Sequence, residues 1–333
     1  MEIRYSLLIN SILIGVVLNI FFQWVFIKLN KFDPVNQRSS HNTLATKTGG
    51  IALFTSLFLI TLYFYFTSNE IFDFSLLIPL AIIFIIGVYD DFYDANFKLK
   101  FFIQIIVAKL FIDQGFIINN FHGLFGLYEI SNVFAQITTI FTFLVIVNAI
   151  NFSDGIDGLA ASLVIYFILV LEFLMDFNSK LINLNMLSIV LLIPFYYFNS
   201  NKINKVFLGD AGSLLLGSIV AINIFNFLSN QNINIVFYNP AIISFTLLIY
   251  PLIDLLRVFI IRIRQGKSPF FADNNHLHHK LSNILKNHYN RTFFIIFSSL
   301  LILSFVLLIE YYFNSIYTIS LLLFVSIISF FKS

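Results

Sequence analysis

The stretch "FLVIVNAINFSDGIDGLAASLVIYFILV", residues 143–170, decides the architecture of this chain. Its two ends are apolar runs, and its middle holds asparagine, aspartate and glycine residues within a few positions. Long apolar runs are typical of helices that cross a bilayer, and Asp-Gly pairs favour tight turns because glycine tolerates positive φ. The stretch therefore predicts two membrane helices joined by a short polar turn at the edge of the lipid.

The composition of the whole chain also indicates a membrane protein. Hydrophobic residues occupy 59% of the 333 positions, charged residues only 11%, and the mean hydropathy is +0.91. A soluble domain of this size could not bury so much apolar surface. The net charge of +2 is too small to indicate a nucleic-acid partner, and the absence of cysteine excludes disulfides and cysteine metal sites.

Apolar segments long enough to cross a bilayer recur along the chain. Lipid cannot hydrogen-bond to free backbone groups, so continuous apolar segments of this length are expected to be helices. We predict an all-α, polytopic integral membrane protein with ten or eleven transmembrane helices, in which residues 1–333 form one transmembrane domain. The predicted spans lie near 7–27, 49–67, 71–89, 100–118, 132–150, 158–175, 183–199, 213–230, 237–261, 292–310 and 314–331.

The distribution of basic residues predicts which loops face the cytoplasm. With eleven spans, alternate loops form two sets, and sixteen of the nineteen Lys and Arg residues belong to one of them. The positive-inside rule makes that set cytoplasmic. Every polar segment of the sequence falls in the same set, so five separate segments are expected to meet on one face. These segments are 33–50, 90–94, 148–162, 207–213 and 267–280.

Two of these segments carry carboxylates and amides in patterns that suit a cation. Adjacent carboxylates such as Asp90 and Asp91 repel each other unless a cation or a proton intervenes, although a solvated acidic helix end would also explain them. A second group is spaced by three, which places its members on one helical face beside flexible turns. Such oxygen ligands suit a hard cation such as Mg²⁺, and a polar helix C-cap is the alternative. This group consists of Asn148, Asn151, Asp154 and Asp157.

Two further segments suit the binding of an anion. In "FLGDAGSLLLG" (207–217), Asp210 lies between glycines that permit a close approach of the backbone to phosphate, although an ordinary N-cap by Ser213 explains the pattern equally well. In "HLHHK" (276–280), His276, His278 and His279 can bind a metal or donate to phosphate, unless they are merely solvated. For Asp254 and Arg257, three residues apart near the end of a span, we favour a buried ion pair. Together the segments describe a site for a divalent cation and a phosphorylated substrate at the bilayer surface, where a second substrate would be a lipid.

At these residues the sequence resembles the polyprenyl-phosphate N-acetylhexosamine-1-phosphate transferases, often called glycosyl transferase family four. The matching pieces are "RSSHNTLATKTGG", "VYDDFYD", "NAINFSDGIDGLAAS", "FLGDAGSLLLG" and "SPFFADNNHLHH", in family order over nearly the whole chain. "HLHH" is similar to the branch that starts O-antigen and teichoic-acid chains, whereas the peptidoglycan translocase has three consecutive histidines there. "ATKTGG" departs from the family because it lacks the usual prolines and has Lys47 near the place of an arginine.

The resemblance implies a reaction, a cofactor and a location. The implied reaction transfers a sugar-1-phosphate from a UDP-N-acetylhexosamine to polyprenyl (undecaprenyl) phosphate, releases UMP and starts a lipid-linked cell-envelope polysaccharide such as O-antigen. The implied enzyme is an Mg²⁺-dependent phosphotransferase, with Mn²⁺ as an alternative ion. It lies in the bacterial inner (plasma) membrane with its active site towards the cytoplasm, and a homodimer stays open as its oligomeric state.

The resemblance also implies a role for each matching residue. Asp210 and Asn151 are expected to hold the metal, and Asp90 and Asp91 to act with Asp210 in catalysis on the lipid phosphate. The expected substrate-binding residues are Lys100, Asn148, Asp154, Asp157, His276, His278 and His279.

Three alternatives stay open at the level of the sequence. The peptidoglycan translocase itself is the alternative within the enzyme class, and its histidine pattern differs from the one found here. A transporter or flippase would carry ionisable groups near the membrane midplane and often shows internal repeats, neither of which is evident. A purely structural membrane scaffold does not explain five polar segments on one side. The sequence leaves the sugar undefined.

Overall fold

The computed structural model describes residues 5–33, 45–201, 204–229, 238–269 and 276–312, together with residues 318, 321 and 322. Helices dominate these residues, and the strands are short. Within the described ranges the α-helices with defined bounds are α1 (Tyr5–Lys28), α2 (Gly49–Phe66), α3 (Leu77–Tyr93), α4 (Phe97–Asp113), α5 (Asn132–Phe152), α6 (Leu159–Leu174), α7 (Ile182–Ser200), α8 (Gly209–Ser229), α9 (Pro240–Leu247), α10 (Ile249–Arg264), α11 (Leu277–Lys280) and α12 (His288–Tyr312).

The predicted all-α, polytopic membrane architecture is confirmed. Seven helices of the described residues are long and apolar enough to cross a membrane, and α9 with α10, bent by 69°, adds an eighth span if the pair is counted as one. Two predicted spans, 100–118 and 158–175, correspond to the shorter helices α4 and α6, of 17 and 16 residues. The last predicted span, 314–331, lies outside the described residues except for positions 318, 321 and 322.

Helix α8 forms the centre of the bundle. All its residues from Ala211 to Leu228 are buried, whereas the other candidate spans expose one side to their surroundings. It packs against α2, α3, α5 and α6. A helix that is apolar all round is expected to be enclosed by others. Its first turn carries Asp210, so this central helix delivers an acidic residue to one end of the bundle.

Glycines allow α8 to approach its neighbours closely. A Cβ atom added to Gly50 on α2 would lie 2.1 Å from the backbone nitrogen of Gly212, and one added to Gly87 on α3 would lie 2.6 Å from the Cα of Ala211. Gly217, one turn deeper, would place its Cβ 2.9 Å from the Cα of Val147 on α5. Small residues at helix crossings let backbones touch within a membrane, where packing drives association. These contacts bring the ends of α2, α3 and α8 together.

Two short strands fix the entrance to α2 and α8. β1 (Ala45–Thr46) pairs in parallel with β4 (Lys205–Val206), and the pairing continues as the amides of Gly49 and Gly50 donate to the carbonyls of Phe207 and Leu208. Both helices therefore start from the same small sheet, which places Lys47 beside the first turn of α8.

A β-hairpin that the sequence did not reveal covers the other end of α8. It consists of β2 (Asn120–Leu124) and β3 (Leu127–Glu129). The His122 ring contacts the Leu228 carbonyl at 2.8 Å, and the His122 carbonyl accepts from the Asn239 amide at 2.9 Å. Since α8 has 21 residues at about 1.5 Å each, the hairpin and Asp210 are separated by about 30 Å along the helix.

We predict that Gly50→Ala lowers the thermal unfolding midpoint of the protein in detergent. The new methyl group has no room against the α8 backbone, and overpacking of this kind typically costs about 1–3 kcal/mol. Gly15→Ala is the matched control, because its Cβ would meet only the side chain of Pro194, at 3.0 Å, and Leu191 beyond it. Equal midpoints for the two variants would contradict the close α2–α8 crossing.

Candidate functional site

Three helix ends meet at the first turn of α8. Helix α3 carries Asp90 and Asp91 in its last turn, α4 carries Lys100 in its first turn, and α5 carries Asn151 one residue before its last position. Together with Asp210 these residues form a group that we call the carboxylate cluster. Sequence analysis had placed all five in the site, and the structure brings them together.

Lys100 joins two of the carboxylates. Its ammonium group lies 2.5 Å from Oδ2 of Asp90 and 2.8 Å from Oδ2 of Asp210. The other oxygen of Asp90 accepts from the Ala95 amide at 2.7 Å, which ties that side chain to the turn between α3 and α4. Two carboxylates that share one cation avoid the repulsion that adjacent negative charges otherwise impose. Asp90 and Asp210 therefore lie close enough to bind a single cation.

Asp91 caps the central helix from a neighbouring one. Its two carboxylate oxygens each accept a backbone hydrogen bond at 3.0 Å, from the amides of Asp210 and Ala211. The first amides of a helix lack partners within the helix and carry partial positive charge, so an anion is stabilised there. Gly209 has φ +71°, and a Cβ at that position would lie 2.6 Å from the Asp91 carboxylate, so the close approach requires glycine. Asp91 therefore fixes the position of Asp210.

Lys47 provides a second cation to the same region. Its ammonium lies 3.6 Å from Asp91 and 3.5 Å from Asp33. Burial disfavours the charged form of Lys47, but the nearby carboxylates, with Asp91 the strongest, outweigh it and raise the pKa above its ordinary value. Lys47 is therefore charged and offsets part of the negative charge of the cluster.

The two asparagines near the end of α5, Asn148 and Asn151, have different surroundings. The side-chain amide of Asn151 donates to Oδ1 of Asp210 and to the hydroxyl of Ser213, both at 2.8 Å. The amide of Asn148, one turn deeper, donates to Gln104 at 2.8 Å and to the Leu144 carbonyl at 2.7 Å. Asn148 thus contributes to the packing of α5 on α4, and its role in substrate binding stays a prediction.

Asp154 lies in the turn after α5, where it is half-buried. Burial raises its pKa well above the ordinary value of an aspartate, and the negative charges of Asp210 and Asp91 raise it further. No described side chain donates a hydrogen bond to its carboxylate. The ionised form of Asp154 is therefore disfavoured when no ligand is bound. A bound cation or a hydrogen-bond donor would favour the ionised form.

Asp157 is bound by two basic side chains that sequence analysis missed. Nδ1 of His288, at the start of α12, lies 2.8 Å from its carboxylate, and the Lys205 ammonium is paired with the same oxygen. Although burial opposes ionisation, these two partners lower the pKa of Asp157. The contacts tie β4 and α12 to the turn after α5. Nothing in the sequence identified either partner, since both lie far from Asp157 along the chain.

The histidine segment, residues 276–280, is anchored to α10. His276 is buried, its Nδ1 lies 2.7 Å from Oδ2 of Asp254, and its ring packs edge-on against Phe152, which follows Asn151. Asp254, for which the sequence suggested an ion pair with Arg257, instead binds His276. The side chains of His278 and His279 lie outside the described part of the structure, so their predicted roles are not tested.

The residues of the cluster provide the donor set that Mg²⁺ prefers. Mg²⁺ is usually held by one or two carboxylates together with water and substrate phosphates. Asp90 and Asp210 fit that requirement because one cation already reaches both. Asn151 approaches Asp210 with its amide nitrogen and not with its oxygen. Within the described residues, no three histidine or acidic side chains are arranged as a complete metal site, so substrate would have to supply further ligands.

The comparisons with known proteins all indicate the same family. The family model described as "Glycosyl transferase family 4" matches residues 73–227, which include the whole carboxylate cluster. The chain is 30% identical over 264 residues to the undecaprenyl-phosphate alpha-N-acetylglucosaminyl 1-phosphate transferase of Yersinia pestis, an alignment that covers 77% of this chain and 70% of the relative.

Two further relatives have similar names. A probable undecaprenyl-phosphate N-acetylglucosaminyl 1-phosphate transferase of Bacillus subtilis is 28% identical over 279 residues, which are 82% of this chain and 75% of the relative. The undecaprenyl-phosphate alpha-N-acetylglucosaminyl 1-phosphate transferase of Escherichia coli K12 is 27% identical over 261 residues, which are 76% and 69% of the two chains.

We predict that Asp91→Ala destabilises the protein by about 1–2 kcal/mol, because loss of an N-terminal helix cap typically costs this much. Asp91→Asn keeps one oxygen acceptor and is expected to cost less. Thermal unfolding in detergent measures both, with Asp113→Ala as a control at an exposed carboxylate that pairs with Lys109. A midpoint for Asp91→Ala equal to that of the control would refute the capping role.

The raised pKa of Asp154 predicts a pH-dependent effect of Asp154→Asn. In the pH range above the ordinary aspartate pKa, the folded protein keeps this proton more readily than the unfolded chain, so the stability that Asp154 contributes falls as pH rises. The asparagine variant lacks this penalty. Its unfolding midpoint relative to wild type should therefore increase from pH 5 to pH 8 in the absence of substrate. A difference that stays constant or shrinks over that range would rule out the raised pKa.

Proposed function

Because the chain belongs to glycosyl transferase family 4, we propose that it transfers a sugar-1-phosphate from a UDP-sugar to polyprenyl phosphate and releases UMP. The observation that carries the proposal is the pair of carboxylates, Asp90 and Asp210, held by Lys100 at the end of a buried helix. The relatives' names support undecaprenyl phosphate as acceptor and make UDP-N-acetylglucosamine the first donor to test. We place the reaction at the cytoplasmic side of the bacterial plasma membrane, where the positive-inside rule puts the polar segments.

The chemistry is a phosphoryl transfer between two phosphates. An oxygen of the lipid phosphate forms a bond to the β-phosphorus of the UDP-sugar. The bond from that phosphorus to the oxygen bridging to the α-phosphorus breaks, and its electron pair leaves with UMP. A phosphate monoester has a second pKa near ~6, so the nucleophile is already largely ionised at neutral pH. The site therefore needs to orient the two phosphates and neutralise charge more than it needs a strong base.

The residues of the cluster suit this task. Lys100 supplies a positive charge that can turn from the carboxylates towards phosphate oxygens, and Lys47 offsets the charge of Asp91. Asp90 and Asp210 would hold Mg²⁺, for which Mn²⁺ could substitute. When bound, this ion would supply positive charge that neutralises the phosphates and stabilises the leaving group. Asp91, bound to the first amides of α8, keeps Asp210 in place through the reaction.

The proposal is tested with the purified protein in detergent. Radiolabelled UDP-N-acetylglucosamine, undecaprenyl phosphate and Mg²⁺ should give a labelled glycolipid, and labelled UMP should exchange into the UDP-sugar. A transporter cannot catalyse that exchange. A panel of other UDP-N-acetylhexosamines extends the test to donors with a different sugar, and chelation of the metal should abolish the reaction. If no donor in the panel yields a glycolipid, the proposed function is wrong.

We predict that Asp210→Asn lowers kcat by roughly 10²–10³-fold, the loss typical of removing one transition-state stabilising group. The KM for the UDP-sugar should change far less, because the lost charge acts mainly on the metal and the leaving group. Asp113→Asn, the same change at an exposed carboxylate of α4, is the matched control. Equal losses in kcat and in donor affinity would argue against a transition-state role for Asp210.

A further inference from the structure

We infer that Asp254 is a positioning residue for the transfer reaction, and that it acts by holding the imidazole of His276 through Nδ1 so that its Nε2 serves the substrate phosphates. The inference rests on the proposed function. It concerns a residue outside the matching pieces of sequence quoted above and outside residues 73–227, which the family model matches.

The contact between Asp254 and the histidine segment is buried, and it uses both carboxylate oxygens of Asp254. Asp254 on α10 is 1% exposed and His276 is 7% exposed. Oδ2 of Asp254 lies 2.7 Å from His276 Nδ1, and Oδ1 accepts from the Leu277 amide, also at 2.7 Å. One carboxylate thus fixes both the ring of His276 and the backbone that follows it. Since Nδ1 is occupied, any contact of this ring with substrate is made through Nε2.

The ring packs against the end of α5, the helix that brings Asn151 to the carboxylate cluster. Its centroid is 5.6 Å from that of Phe152, the residue after Asn151, and Asn151 binds Asp210. Arg262, also on α10, lies 5.6 Å from the same Phe152 ring and donates to the Pro269 carbonyl at 2.6 Å. The imidazole of His276, held by Asp254 of α10, and the guanidinium of Arg262 therefore both lie against Phe152 at the end of α5, the helix whose Asn151 binds Asp210.

A carboxylate bound to one imidazole nitrogen has a known chemical effect. It fixes the orientation of the ring, keeps a proton on Nδ1 and stabilises the imidazolium, the form in which Nε2 also carries a proton. In a transfer between phosphates, the Nε2–H of an imidazolium held in this way can donate to oxygens of the pyrophosphate and stabilise charge on them as the bond breaks. Asp254 would influence the reaction through His276 without touching the substrate.

A double-mutant cycle tests this inference. Asp254→Asn preserves the shape of the side chain but removes its charge, and it should lower kcat about 10–100-fold with the KM for the UDP-sugar within about threefold. His276→Gln should lower kcat at least as much. Because Asp254 acts through His276, the double variant should be no slower than His276→Gln alone. Asp254→Glu, which keeps the charge and alters the shape, should retain more activity than Asp254→Asn.

Glu172→Gln is the matched control, because it makes the same carboxylate-to-amide change at a fully buried residue of α6 that binds Ser179 and Asn185. It should leave kcat unchanged. Thermal unfolding of all variants checks that they fold. If the loss of kcat in the double variant equals the product of the losses in the two single variants, the inference is wrong. The same holds if Asp254→Asn is as active as wild type, and neither result would affect the proposed function. Inactivity of the wild-type chain with every donor would overturn the proposed function and this inference with it.

Discussion

The site depends on the interaction between the Asp91 carboxylate and the first amides of α8. The first residues of α8 are largely buried, so their amides, which have no partner within the helix, need one elsewhere in the protein. Asp91 provides it from α3, and the pairing requires that α3 and α8 come within touching distance. Gly87 and Gly209 make that distance attainable. Asp210 then has a defined place because the turn that carries it is held by its neighbour.

The same arrangement concentrates negative charge at the end of the bundle. Three aspartates, Asp90, Asp91 and Asp210, converge there, and two lysines from other segments offset them. Lys100 lies between two carboxylates in the position that a divalent cation would also favour. Such a preorganised group of charges suits a reaction whose barrier depends on charge neutralisation and alignment more than on covalent chemistry. The second layer, formed by the contacts of Asp157 and Asp254, connects α10 and α12 to this centre.

Much of the fold and the centre of the site could be predicted from the sequence. The apolar runs predicted the membrane helices. The clustering of Asp90, Asp91, Asn151 and Asp210 was predicted because their segments fall on one side of the membrane and match the motifs of a known family. The partners of Asp157 and Asp254 could not be predicted, because Lys205, His288 and His276 lie 22 to 131 residues away from them and no local pattern links them. The β2–β3 hairpin was missed because its few residues lie between two long apolar segments.

The central claim is that the carboxylate cluster and the histidine segment lie together at one membrane face, opposite the β2–β3 hairpin. The wild-type chain contains no cysteine, so single cysteines can be placed by Asp94→Cys at the end of α3, Gln265→Cys at the end of α10, the helix that holds the histidine segment, and Phe125→Cys in the hairpin. A membrane-impermeant maleimide should label the first two only in inside-out vesicles and the third only in spheroplasts. Labelling of the first two from opposite sides, or of the first and third from the same side, would contradict the account.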